Sequence, residues 1–87
     1  MKELIIKIDM FTMPQTAIIK EDNVILETFP FEIHNMYKMI FSIENLEKVT
    51  IVGYPMHIKH FAERIKEEEL KKYGKNNLIV ETQGAKV

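Results

Sequence analysis

Apolar residues alternate with polar ones near the start of this chain. Between residues 3 and 10, every second residue from Leu4 to Met10 is apolar, while Lys7 and Asp9 fall on the other face. A period of two is typical of a β-strand. Ile5 adds an apolar residue to the second face, so we expect a central strand that is covered on both sides.

Two further strands are predicted over residues 16–20 and 24–29. Asp22 and Asn23 lie between them, and both residue types tolerate a positive φ, so a tight hairpin turn is expected. Pro30 cannot donate a hydrogen bond to a neighbouring strand, and it is expected to close the second strand of this hairpin.

After Pro30 the apolar spacing becomes helical. Pro55 suits the first position of a helix and Gly74 suits the position after its end. The charged run from Glu67 to Lys72 is expected to face solvent. The pattern predicts a helix over residues 31–44, a strand over 49–54, a helix over 56–73, a strand over 78–82 and a polar tail over 83–87.

This order of elements predicts a single α/β domain of 87 residues. Right-handed crossovers place the fourth and fifth strands beyond the first, so the expected sheet order is 3-2-1-4-5 with two helices. The first strand is then central, and a crevice is expected at the carboxyl ends of the first and fourth strands. The residues expected around this crevice are Asp9, Thr12, Gly53, Tyr54, Pro55, His57 and Glu81.

Composition narrows the classes of function. The net charge of −1 does not favour a nucleic-acid partner. The chain has no cysteine, which excludes disulfides and zinc–thiolate sites and fits a cytoplasmic protein. The N-terminus lacks the features of a signal peptide, and no apolar run reaches the ~18 residues that span a bilayer, so no membrane association is expected.

Three short motifs carry a resemblance to a known family. They are Ile51-Val52-Gly53-Tyr54-Pro55, Phe61-Ala62-Glu63-Arg64-Ile65-Lys66 and Leu78-Ile79-Val80-Glu81. Together with the element order βββαβαβ, they resemble the ribonuclease H-like fold, and within it the RuvC/YqgF (Holliday-junction resolvase-like) branch. The resemblance implies that Asp9 and Glu81 would be the catalytic, metal-binding carboxylates of a nuclease that uses Mg²⁺ or Mn²⁺.

The chain also departs from the pattern of that branch. Met10, Phe11 and Thr12 stand where the family has a small residue followed by Thr or Ser, and no third acid follows from a final helix. Two-metal phosphoryl chemistry needs several carboxylates around the cations. We therefore expect a degenerate, non-catalytic member without a cofactor. The alternative is a metal-dependent nuclease that uses Asp9 and Glu81.

Two apolar segments are candidate contacts for a protein partner. Met10, Phe11 and Met13 lie in a predicted loop at the crevice, where adaptable methionines would suit a contact surface, unless they cover the small core. Val24 and Leu26 belong to the third strand, which is a sheet edge and could pair with a partner's strand or with a second copy.

The sequence thus predicts a protein-binding or regulatory module, with homodimerisation through the third strand as one form of binding. Its small size and composition suggest a gene of a phage or mobile element. A nucleotide or small-ligand site at the crevice is a third hypothesis. His57 and His60 lie three positions apart on a predicted helix, but without an evident third ligand they are expected to be surface residues.

Overall fold

The computed structural model describes residues 1–9 and 14–84 of the chain. The predicted loop contacts Met10, Phe11 and Met13, together with Thr12, lie outside the described residues, as do residues 85–87. In chain order the elements are β1 (Lys2–Lys7), β2 (Gln15–Glu21), β3 (Val24–Phe31), a 3-10 helix (Ile33–Asn35), α1 (Met36–Ser42), β4 (Lys48–Gly53), α2 (Pro55–Tyr73) and β5 (Ile79–Gly84).

Within the described residues, five strands form one mixed sheet in the order β3-β2-β1-β4-β5. β1 is antiparallel to β2 and parallel to β4, and β4 is parallel to β5. This arrangement, with α1 and α2 as its helices, confirms the predicted α/β class and strand order.

The hydrophobic core lies on one face of the sheet. Alternate residues of β1, β2 and β4 are buried there and pack in one cluster with residues of α1 and α2. Because one cluster contains residues of both helices, α1 and α2 cover the same face. The buried apolar residues of this cluster are Leu4, Ile6, Ile8, Ala17, Ile19, Phe31, Met36, Ile40, Val49, Ile51, Ile58 and Ile65.

The second face of the sheet has no helical layer among the described residues. Ile5 lies on this open face, opposite Ile18 of β2 and Thr50 of β4, and it is only half-buried. The expectation that β1 is covered on both sides is therefore wrong for this part of the chain. The physical reason is that both crossovers turn in the same direction and place their helices on one side.

Several element boundaries differ from the predicted ones. β3 continues through Pro30 to Phe31, which an edge strand tolerates because the missing N–H need not face a neighbour. The predicted helix over 31–44 is a 3-10 turn followed by the shorter α1. β5 extends to Gly84, into the predicted polar tail.

The turn between β2 and β3 has positive φ at both central residues, 50° at Asp22 and 68° at Asn23. This combination defines the type I′ turn, whose twist matches that of a two-stranded hairpin. The Asp22 carboxylate also accepts a hydrogen bond from the amino group of Met1 at 2.6 Å. The tip of the hairpin is therefore tied to the start of β1.

The helix α2 begins at Pro55 and ends where Gly74 takes a left-handed φ of 73°. Within it, Glu69 is buried, contrary to the expectation that the whole charged run faces solvent. One oxygen of its carboxylate accepts hydrogen bonds from the backbone N–H groups of Asn77, at 3.3 Å, and Leu78, at 3.0 Å. Glu69 therefore fixes the loop that leads into β5. None of the helices in the described part of the chain is long and apolar enough to span a membrane.

Replacing Glu69 with alanine is expected to lower the free energy of unfolding by about 2 kcal/mol, because two backbone donors lose a charged acceptor. Glu67→Ala is the matched control, since Glu67 lies exposed on the same helix and a surface change costs at most about 0.5 kcal/mol. Urea denaturation of both variants measures the difference. Equal stability of the two would contradict a bonded role for Glu69.

Candidate functional site

The predicted crevice lies where β1 and β4 end. Asp9 follows β1, and its backbone N–H donates a hydrogen bond to the side-chain oxygen of Gln15 at 2.6 Å. Gln15 is the first residue of β2 and is buried. Gln15 was not among the predicted site residues, although it shares the face of Ala17 and Ile19 at a spacing of two. It fixes the backbone at the exit of β1, while the Asp9 side chain is exposed.

Gly53, the last residue of β4, packs closely against Ile8, which follows β1, and against Ile58 of α2. A Cβ atom at this position would stand 2.9 Å from the carbonyl oxygen of Ile8 and 2.9 Å from the side chain of Ile58. The N–H of Ile8 in turn donates to the carbonyl of Val52 at 2.9 Å. Gly53 therefore allows β1, β4 and α2 to pack together, which is a structural requirement rather than a ligand contact.

The first turn of α2 follows directly after β4, beside the position of the predicted crevice. The carbonyl of Tyr54 accepts hydrogen bonds from the N–H groups of His57, at 3.0 Å, and Ile58, at 3.1 Å. Pro55 occupies the first helical position. The side chains of Tyr54, Met56 and His57 are exposed. These residues thus lie between the end of β4 and the start of α2, and the hydrogen bonds of their backbone are those that start a helix.

The structure does not bring Glu81 to this crevice. Glu81 faces Thr50 of β4, and Thr50 faces Ile5 of β1, so Glu81 is level with the middle of β1. Asp9 follows Ile5 by four positions, which corresponds to roughly 13 Å along the strand, and β4 separates the two strands by about 10 Å more. The predicted pairing of Asp9 with Glu81 at one metal ion therefore fails within a single chain.

Glu81 instead belongs to a group of ion pairs on the open face. The ammonium of Lys48 lies 3.1 Å from Glu81 and 3.7 Å from Glu3. The hydroxyl of Thr50 donates to the same Glu3 oxygen at 2.8 Å. The hydrogen bond to Glu81, helped by the charges of both carboxylates, raises the pKa of Lys48. These contacts tie β1, β4 and β5 together.

Residues 1–9 and 14–84 contain no group of three or more histidine or acidic side chains that could hold a metal ion. His57 and His60 are both exposed on α2, and His34 is exposed in the 3-10 helix. His57 and His60 therefore lie at the surface, as the sequence predicted, and so does His34.

A small cavity of about 180 Å³ lies at the opposite end of the sheet, between α1, α2 and the start of β5. The rings of Phe41 and Tyr73 meet edge to face there, 5.9 Å apart. Glu69 lies in its wall, but its carboxylate already holds the loop before β5. The Glu69 carboxylate in the wall of this cavity therefore has a structural role. The other main wall residues are Ile40, Ile43, Leu46 and Leu78.

The third strand carries a run of three exposed apolar side chains. Val24, Ile25 and Leu26 are 61%, 59% and 55% exposed, and they follow one another on an edge of the sheet. A bulge leaves Leu26 without an opposite residue on β2, because Ile25 faces Lys20 and Glu27 faces Ile19. The predicted partner-binding residues Val24 and Leu26 thus flank Ile25 in one exposed run of the edge strand, which we call the β3 patch.

Comparison of the chain with family models, with curated proteins and with solved structures found no match. The relationship to the ribonuclease H-like fold and its RuvC/YqgF branch therefore stays a prediction. It rests on the strand order and on the motifs around Gly53, Phe61 and Val80.

Replacing Gly53 with alanine is expected to lower the free energy of unfolding by about 1–3 kcal/mol, because the added methyl group meets backbone and a packed side chain. Gly84→Ala is the control at the same end of the sheet. Its Cβ would lie 3.2 Å from the ring of Pro55, so a smaller loss is expected. Thermal unfolding followed by circular dichroism compares them, and an unperturbed Gly53→Ala protein would contradict the close packing.

Proposed function

We propose that this protein is a small, non-catalytic, ribonuclease H-like module of the cytoplasm that binds a protein partner through the edge of β3. The observation that carries the proposal is the β3 patch, Val24 to Leu26, which exposes more than half of each side chain on an edge strand. Contiguous exposed apolar residues are typical of a contact surface.

The backbone on the outer side of β3 is a second feature that favours partner binding. The outer side of such a strand presents backbone N–H and C=O groups that can pair with a partner's strand. Proteins usually protect such edges with charges or proline. Here Glu27 and Pro30 follow the β3 patch, which itself contains neither a charge nor a proline. The first three residues of the strand are therefore the part that supports partner binding.

The alternative, a nuclease dependent on Mg²⁺ or Mn²⁺, receives little support from the geometry. Glu81 is paired with Lys48 on the open face, at a different level of the sheet from Asp9. Two-metal chemistry needs its carboxylates around one pair of cations. A nuclease would thus need Asp9 to combine with ligands from a second chain or from the substrate.

Val24→Lys and Leu26→Lys are expected to abolish capture of the partner while the fold is kept, because each places a charge in the apolar contact. Ile79→Lys is the matched control, since Ile79 is 46% exposed on the other edge strand, β5. Affinity capture with the tagged wild-type protein and the three variants, followed by mass spectrometry, measures the change. Identical sets of captured proteins for all four would refute the proposal.

Incubation of the protein with branched and single-stranded DNA and either Mg²⁺ or Mn²⁺ is expected to yield no cleavage above background. Asp9→Asn serves as the comparison, because it removes the charge of the family's first carboxylate and keeps the number of non-hydrogen atoms in the side chain. Cleavage by the wild-type protein that Asp9→Asn abolishes would establish the nuclease alternative instead.

A further inference from the structure

We propose that β5 is a detachable edge strand, which Glu69 of α2 anchors and which separates from β4 while the rest of the sheet stays folded. The unit that opens comprises residues 76–84, the end of the loop after α2 together with β5, and we call it the β5 segment. It forms the edge of the sheet opposite the β3 patch, so its opening is independent of the proposed function.

The side chains of β5 contribute little to the hydrophobic core. None of the six residues of β5 is buried, whereas every second residue of β4 is. Leu78 and Val80 are the two members of the β5 segment that pack against the core cluster, and both are only half-buried. Burial of apolar surface is the main term that offsets the entropy lost on ordering a chain. The β5 segment therefore gains less from folding than the strands beside it.

The sheet contacts of β5 lie on one side of the strand. Its backbone pairs with β4 along its whole length, and the N–H of Ile79 donates to the carbonyl of Glu47 at 3.0 Å. The ion pair between Lys48 and Glu81, at 3.1 Å, is exposed, since the Glu81 side chain is 55% exposed. Ion pairs at the surface stabilise a fold weakly. Separation from β4 thus requires the loss of a single backbone ladder.

A buried charge on α2 provides the other attachment of the β5 segment. One oxygen of Glu69, which is 7% exposed, accepts hydrogen bonds from the N–H groups of Asn77, at 3.3 Å, and Leu78, at 3.0 Å. The side-chain amide of Asn76, with its nitrogen turned towards α2, donates to the other Glu69 oxygen at 3.2 Å and to the carbonyl of Lys66 at 3.0 Å. Hydrogen bonds to an ionised group are stronger than those between neutral groups. Because one carboxylate holds consecutive residues, its release frees the loop and the strand together.

Opening of the β5 segment would expose the outer backbone edge of β4. That edge carries N–H and C=O groups with which another strand can pair. The far end of β5 also lies against the start of α2, since a Cβ atom at Gly84 would stand 3.2 Å from the ring of Pro55. Elements that move in proteins are drawn from such segments, whose opening costs less than global unfolding. The anchor at Glu69 thus sets how often the β4 edge becomes accessible.

Native-state amide hydrogen exchange of the full chain tests the opening directly. Under conditions in which exchange reports the population of the open state, amides of β5 are expected to exchange at least about tenfold faster than those of β1. Their exchange is also expected to depend less on low concentrations of urea, because a local opening exposes less surface than global unfolding.

Two variants separate the local opening from global unfolding. Glu69→Gln keeps the size of the side chain but removes its charge, and it is expected to speed exchange in β5 by about tenfold or more. Ile19→Val is the matched control, because Ile19 is buried in the core on β2, away from β5. It is expected to speed exchange in β1 by about threefold or more and to leave exchange in β5 unchanged, since the lost contacts persist while β5 is open.

Asn76→Ala removes only the exposed side-chain donor to Glu69, and it takes the place of Glu69→Gln if that variant does not fold. An increase of about threefold in β5 exchange is then expected. Equal exchange rates in β5 and β1 of the wild-type chain would overturn the proposal, as would an Ile19→Val variant that speeds exchange equally in both strands. In either case β5 unfolds only with the whole domain. Unchanged β5 exchange in the folded anchor variant would likewise refute the role of Glu69.

Discussion

The pairing of β1 with β2 on one side and β4 on the other is the constraint on which the rest of the structure depends. Leu4 and Ile6 of β1 are fully buried on the face that α1 and α2 cover. Both helices lie on that face. On the open face, the ion pairs of Lys48 with Glu3 and Glu81 connect β4 to β1 and β5. The same pairing makes β3 an edge, and the exposed apolar run of β3 follows from that position.

Much of this architecture could be predicted from local pattern and handedness. The alternation around Leu4 and the apolar run around Ile51 indicate strands, and right-handed crossovers then fix the sheet order. Handedness also implies that both helices cover one face, but the apolar character of Ile5 favoured a covered second face. The burial of Glu69 was not predicted either. Its charge favoured an exposed position, although Glu69 lies four residues after Ile65 on the inner face of α2.

The candidate site was harder to predict than the fold, because it depends on register. Gly53 and the residues at the start of α2 lie where β4 ends and the helix begins, because the local sequence determines both boundaries. The position of Glu81 depends on the register between β5 and β4 and on the length of β5. The sequence around Glu81 determines neither of these. The motif that ends in Glu81 is compatible with a carboxylate at the predicted crevice and equally with a carboxylate beside Lys48.

The central claim is that the working surface of this protein is the edge of β3 rather than the carboxyl end of the sheet. Amide hydrogen exchange at residue resolution, recorded for the free chain and for the chain in complex with its captured partner, tests it most directly. Exchange between Val24 and Thr28 is expected to slow in the complex, while exchange in the outer strand β5 does not change. Slowing at β5 or around Asp9 and Tyr54, with no change in β3, would contradict it.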